Sequence, residues 1–139
     1  AGQLRSPRLD GDVLMLGGPA ESVGPRILRW LKLRARETLS AETLEIAGRE
    51  NLSVSSVSIG DPRSRWGSCA ANGAIRYSWR LILAPEFVRR ATVAHEVAHL
   101  LHMDHSAQFH AAHARLLGED PAPARAWLRR NGAQLHQVG

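Results

Sequence analysis

The sequence predicts an α+β domain, with a small antiparallel sheet packed against a central helix and further helices at both ends. Three observations carry this reading. Residues 85–103 hold an apolar pattern of helical period around His95-Glu96-Val97-Ala98-His99. Residues 52–79 read as short strands, with Asn72-Gly73 a strong hairpin signal between the last two. The chain has 139 residues and is 44% apolar, which suffices for one core and excludes global disorder.

The elements follow in order. Residues 1–24 are rich in Gly, Pro and charge, and read as a flexible lead. Their one apolar run, Val13-Leu14-Met15-Leu16, allows at most one short strand. A helix opens at Pro25, where Pro suits the first turn. Leu28, Leu31, Ala35 and Leu39 form its inner stripe, opposite Arg29, Lys32 and Arg36. The pattern pauses at Ser40 and resumes to Gly48, so one long helix and two shorter ones both fit. Leu52 to Ile59 reads as a strand, with Val57 and Ile59 on one face. Arg65–Cys69 and Ala74–Trp79 complete the sheet.

Pro85 opens the central helix, with Glu86 in its first turn, and the pattern carries it to about Met103. Val88, Ala91, His95, His99 and His102 trace one stripe, and Val93, Val97, Leu100 and Leu101 cover much of the rest. A helix apolar nearly all round belongs in the middle of a domain. Asp104 or Ser106 can cap the next helix, which stops at Gly118, with Phe109, Ala112, His113 and Leu116 inward. Asp120-Pro121 starts a last helix, partly buried through Ala126, Trp127 and Leu128. Asn131-Gly132 is its expected end, and residues 133–139 read as a loose tail.

The chemistry lies on the central helix. Residues four apart share a helix face, so His95 and His99 can aim two imidazoles at one point. Glu96 reaches the same space from the side. This is the pattern of two zinc ligands with a carboxylate placed to take a proton from water. Buried polar groups need partners, and one zinc ion would supply them. Six of the seven histidines fall between His95 and His113. A zinc hydrolase usually has three protein ligands. His105, just past the expected helix end, is the first choice for the third. His102 is the rival, and His110 and His113 on the following helix could also approach. Glu96 would be the general base. Tyr77, Arg80, Arg65 and His102 are candidates to contact the transition state or substrate. A purely structural zinc would leave Glu96 unexplained. Arg65-Trp66-Gly67-Ser68-Cys69 reads as a bulged strand, bent at Gly67, with Trp66 and Cys69 packed inward. A Cys69 thiolate ligand is the alternative.

Composition bounds the partners. The net charge of +5 allows nucleic acid as a partner. Against that, 17 of the 18 basic residues are arginines scattered along the chain, with Lys32 the single lysine, a bias that also fits genome composition. A lone cysteine excludes an intrachain disulfide framework. No apolar run is long enough to span a membrane and no signal peptide is visible, so a cytoplasmic location is expected. The chain begins without Met, as a piece of a longer protein would.

Several separated motifs resemble one known family. They are Ser64-Arg65-Trp66-Gly67-Ser68-Cys69, Trp79-Arg80-Leu81-Ile82 with Ala84-Pro85, His95-Glu96-Val97-Ala98-His99-Leu100, Asp104-His105-Ser106 with Phe109, and Trp127-Leu128. In this order they look like the YgjP-like metallopeptidase domain, a relative of the WLM and SprT-like zinc proteases. The resemblance spans about residues 25–132. It implies a minimal gluzincin-like zincin fold, with zinc on His95, His99 and His105 and Glu96 as the catalytic residue. It also implies that residues 1–24 hold the remnant of a longer N-terminal β segment. Ser78, Ala91 and His110 depart from the family's usual Asn, Tyr and Trp, which bears on the pocket and not on the zinc ligands. The expected activity is zinc-dependent hydrolysis of a peptide or protein lying extended along the sheet edge. Two alternatives stand beside it: hydrolysis of a non-peptide ester or phosphate, and a DNA-associated protease module by analogy with the SprT-like relatives.

Overall fold

The computed structural model describes residues 24–139 and, before them, the strands β1 (Arg8–Asp10) and β2 (Val13–Met15). These two pair antiparallel, Arg8 opposite Met15 and Asp10 opposite Val13. The sequence reading allowed one strand at most. Arg8-Leu9-Asp10 is too short and polar to signal a strand alone, and becomes one through its partner. The rest of the expected flexible lead lies outside the described residues.

Helix α1 (Pro25–Gly48) is one continuous helix of 24 residues. Its buried residues Leu31, Ala35, Leu39 and Thr43 recur every fourth position, and Ile46 and Ala47 extend the stripe. The pause at Ser40 does not break it, because the inner stripe continues on both sides.

The sheet contains β3 (Ser56–Gly60), β4 (Gly67–Cys69) and β5 (Ala74–Ser78), in the order β3-β5-β4. It is mixed, where an all-antiparallel sheet was expected. β4 and β5 form the expected hairpin, but β3 runs parallel to β5. The reason is burial: β5 carries Ile75 and Tyr77, both fully buried, and takes the centre. The chain leaves β3, crosses to the far edge as β4, then returns between them. The turn holds Asn72, whose side chain accepts from Ala74 N at 3.0 Å. Gly73 sits there at φ +89°, which a residue with a Cβ rarely adopts.

A short 3-10 helix (Trp79–Leu83) leads into α2 (Glu86–Ala98), which lies against α1, α3, α4 and β4. It is buried on nearly every side, as its composition predicts. It ends about five residues before the expected Met103. The amides of His99, Leu100 and Leu101 donate to carbonyls three residues back, a tightened final turn. Leu101 and Met103, which prolonged the apolar pattern, are exposed. Helix α3 (Ala107–Leu117) starts at Ser106, whose hydroxyl accepts from Phe109 N at 3.2 Å, and stops at Gly118. Its buried residues are the four expected: Phe109, Ala112, His113 and Leu116.

Helix α4 (Ala122–His136) runs through Asn131-Gly132, the expected stop. Asn131 is held within the helix by donating to the Trp127 carbonyl at 3.0 Å. Gly132 serves packing, since a Cβ there would stand 3.3 Å from the Trp66 ring. The expected loose tail is also docked: Val138 is buried and its carbonyl accepts from Arg80 Nε at 2.9 Å. Among the described residues no helix is long and apolar enough to cross a membrane.

Candidate metal centre

His95 lies in the last turn of α2 and His99 caps its end. The tightened turn after His99 releases the chain, and the short loop to Ser106 carries His105 back over them. One ring nitrogen from each of His95, His99 and His105 lies within 4.8 Å of the other two. Their ring centroids are 5.0 to 5.3 Å apart. Phe109 supports all three rings: it stacks on His99 at 4.5 Å and meets His95 and His105 edge-on at 4.9 and 5.0 Å. A rigid ring inside the triad limits the rotamers each imidazole can adopt.

The tautomers are partly fixed. The His102 carbonyl accepts from His99 Nδ1 at 3.0 Å, which leaves the lone pair on Nε2. Burial first, then the neighbouring imidazoles, push His95 down to about 3, so it is neutral at physiological pH. A neutral imidazole is the form that binds a metal. His113 packs edge-on against His95 at 5.2 Å, but its Nε2 donates to the Ala91 carbonyl at 2.8 Å. That bond commits His113 to bracing α3 on α2. His110 is exposed on α3, its ring 6.4 Å from that of His105.

Glu96 lies one residue on from His95, 5% exposed. Burial pushes its carboxyl up to about 7, and the charge of Arg65 pulls the other way. Strand β4 passes so close that a Cβ on Gly67 would stand 3.0 Å from Glu96 Oε2. A cleft of about 360 Å³ opens beside the carboxylate, between Arg65–Gly67, α2 and the first turns of α4.

The sequence candidates separate here. Arg65 lines the cleft with Glu96. Tyr77 is fully buried, its hydroxyl 2.8 Å from Thr43 Oγ1, and burial raises its pKa far above the ordinary range. Arg80 is fully buried on another side, bonded to Asp61 and the Val138 carbonyl. His102 contributes its carbonyl and not its ring. Tyr77 and Arg80 therefore do not line the cleft: the Tyr77 hydroxyl meets Thr43 of α1, and Arg80 bonds Asp61 and the C-terminal segment. Cys69 stands outside the histidine triad; burial, then Glu96, raise its thiol above its ordinary value.

Four contributors escaped the sequence reading. Gly67 was read as a bend, yet it makes room for Glu96. Phe109 was read as core, yet it braces the triad. Arg125 and Leu128 wall the cleft from α4, some thirty residues downstream, where only the fold brings them in.

The histidine triad fits a zinc ion. Imidazole nitrogens are favoured zinc ligands, one of them is oriented by a backbone carbonyl, and three ligands leave a position free for chemistry. The family model described as the YgjP-like metallopeptidase domain matches residues 11–131. No curated protein and no solved structure matches the chain.

Proposed function

Because the chain belongs to the YgjP-like metallopeptidase domain family, we propose that it is a zinc-dependent peptidase with Glu96 as its general base. One observation carries the reading: three imidazoles converge beside a buried carboxylate that borders an open cleft. His95, His99 and His105 would hold the ion. Bound zinc supplies Lewis acidity, which brings the pKa of water toward ~7 and polarises a carbonyl.

The chain's residues do the rest. The Glu96 carboxylate takes a proton from the attacking water and passes it to the leaving amine nitrogen, so both proton transfers use one group. Burial against Gly67 and β4 keeps that carboxylate aimed along the cleft. β4 is the edge of the sheet on this side, so an extended peptide can add to it by backbone hydrogen bonds. The scissile bond would then lie between β4 and the triad. Arg65, which lines the cleft with Glu96, would contact the peptide beside the reacting carbonyl.

The test is Glu96→Gln in zinc-loaded protein. Peptidase activity is expected to fall about a hundredfold or more, while zinc content stays at one equivalent. A variant as active as the parent refutes the role of Glu96. Activity on esters or phosphate esters but on no peptide refutes the peptidase.

A further inference from the structure

The cleft extends well beyond Glu96. It continues past His113 to the first turns of α4, where Ala124, Arg125 and Leu128 close its far end. That end is apolar except for one guanidinium. Arg125 is solvent-exposed and has no carboxylate partner among the described residues, whose ion pairs engage Arg49, Arg80, Arg89, Arg90 and Arg115. The acidic residue nearest in sequence, Asp120, instead accepts from Ala122 N at 2.9 Å. Arg125 is also the fourth residue of α4, near the helix end where the dipole opposes a cation. Neither helix stability nor an ion pair accounts for it.

We infer that Arg125 is a specificity-determining residue that receives an acidic side chain of the peptide substrate, packed between Ala124 and Leu128. The inference rests on the peptidase reading and names its substrate class. A carboxylate matches the planar fork of a guanidinium, which can donate two parallel hydrogen bonds to it. The methylenes of a Glu or Asp side chain find apolar surface on Leu128 and Ala124. The charged side chains facing the cleft agree: Arg65 and Arg125 against Glu96 alone. A lysine side chain at this end would meet Arg125 and no anion. A nucleic-acid backbone is the poorer match, because a row of phosphates needs a row of cations and this end offers one.

The experiment compares zinc-loaded parent, Arg125→Gln, Arg125→Glu and Arg129→Gln. Arg129 is exposed one turn further along α4 and does not line the cleft, so its loss matches the charge change alone. Internally quenched peptides identical except for Glu, Gln or Lys at each position around the scissile bond are assayed for kcat/KM. At one position the parent should prefer Glu over Gln by about tenfold. R125Q should bring that ratio to about one, R125E should shift preference toward Lys, and R129Q should keep the parent ratio. A parent without a Glu preference, or a preference that survives in R125Q, overturns the inference while leaving the peptidase intact. The same peptides, fluorescently labelled, are titrated into zinc-loaded Glu96→Gln. Arg125-dependent Glu preference in binding without cleavage by the parent upholds this site and refutes the peptidase reading. Arg125-dependent displacement of the peptide by a DNA oligonucleotide, with no Glu preference among peptides, overturns it in favour of nucleic acid.

Discussion

At Gly67 the sheet passes close against Glu96. Any side chain there must push either the strand or the carboxylate, since the nearest Glu96 atoms stand 3.0 Å from the Cβ position. The carboxylate is the softer of the two. Gly67→Ala is therefore expected to lower kcat about tenfold or more by displacing the general base, with zinc content unchanged because the triad lies on other atoms. Metal analysis beside steady-state kinetics checks it; loss of zinc in G67A would show that the strand moved instead. His95, Glu96 and His99 were legible in the sequence because helical spacing alone brings them together. His105 was legible as a first choice only, because a turn had to return it. Tyr77 and Arg80 misled for the opposite reason. They are polar, but Thr43, Asp61 and the Val138 carbonyl engage them inside the core, and no local pattern announces those partners.

At the scale of elements, α2 is pinned by charge as well as by apolar contact. Arg89 donates to both Glu42 oxygens at 2.8 Å, and each residue is 8% exposed. Arg90 extends the contact to Glu45 at the surface. Removing the carboxylate leaves the buried guanidinium with only the exposed Glu86 carboxylate at 3.7 Å, so Glu42→Gln should cost about 3 kcal/mol. Urea unfolding is the measure, with a lower midpoint and an unchanged slope. The double variant E42L/R89M should recover most of that loss, since it removes the buried charge along with its partner. A double variant as unstable as E42Q would mean that the pair itself, and not the stranded cation, carries the stability. This pair joins α1 to α2 across 47 residues, and helical periodicity does not reveal it. Periodicity did place all four helices, because each buries a stripe of its own. It overran the end of α2, where no Gly or Pro marks the stop, and stopped α4 too soon at a glycine that packs against Trp66. The order of the three strands escaped it too, because β3 and β5 meet only after β4 has crossed between them in sequence.

Across the whole molecule, one buried cation closes the chain on itself. Arg80 is fully buried; its Nε donates to the Val138 carbonyl, its Nη1 pairs with Asp61 after β3, and its guanidinium lies 4.7 Å over the Trp79 ring. Arg63, in the same loop, donates to the His136 carbonyl at 2.8 Å, and His136 stacks on Trp66 at 4.2 Å. The end of β3, the 3-10 helix and the C-terminus thus share one knot, and Trp66 carries it to the cleft wall. Partial burial pushes the Asp61 carboxyl up, but the hydrogen bond and charge of Arg80, helped by Arg63 and Lys32, outweigh that and hold it below its ordinary 3.8. The folded state therefore binds this proton less readily than the unfolded chain. The contribution is complete above about pH 4 and drains away as pH falls through the lower folded value. Asp61 is 45% exposed, so solvent screening limits the contribution to about 1 kcal/mol. Asp61→Asn should accordingly be less stable than the parent by that amount at pH 7. The gap should narrow steadily below pH 4, as the parent's own carboxyl takes up its proton. Urea midpoints for both proteins at pH 7, 4 and 3 measure it. A gap that is constant or widens toward pH 3 would show that Asp61 holds the knot through shape and not through its charge.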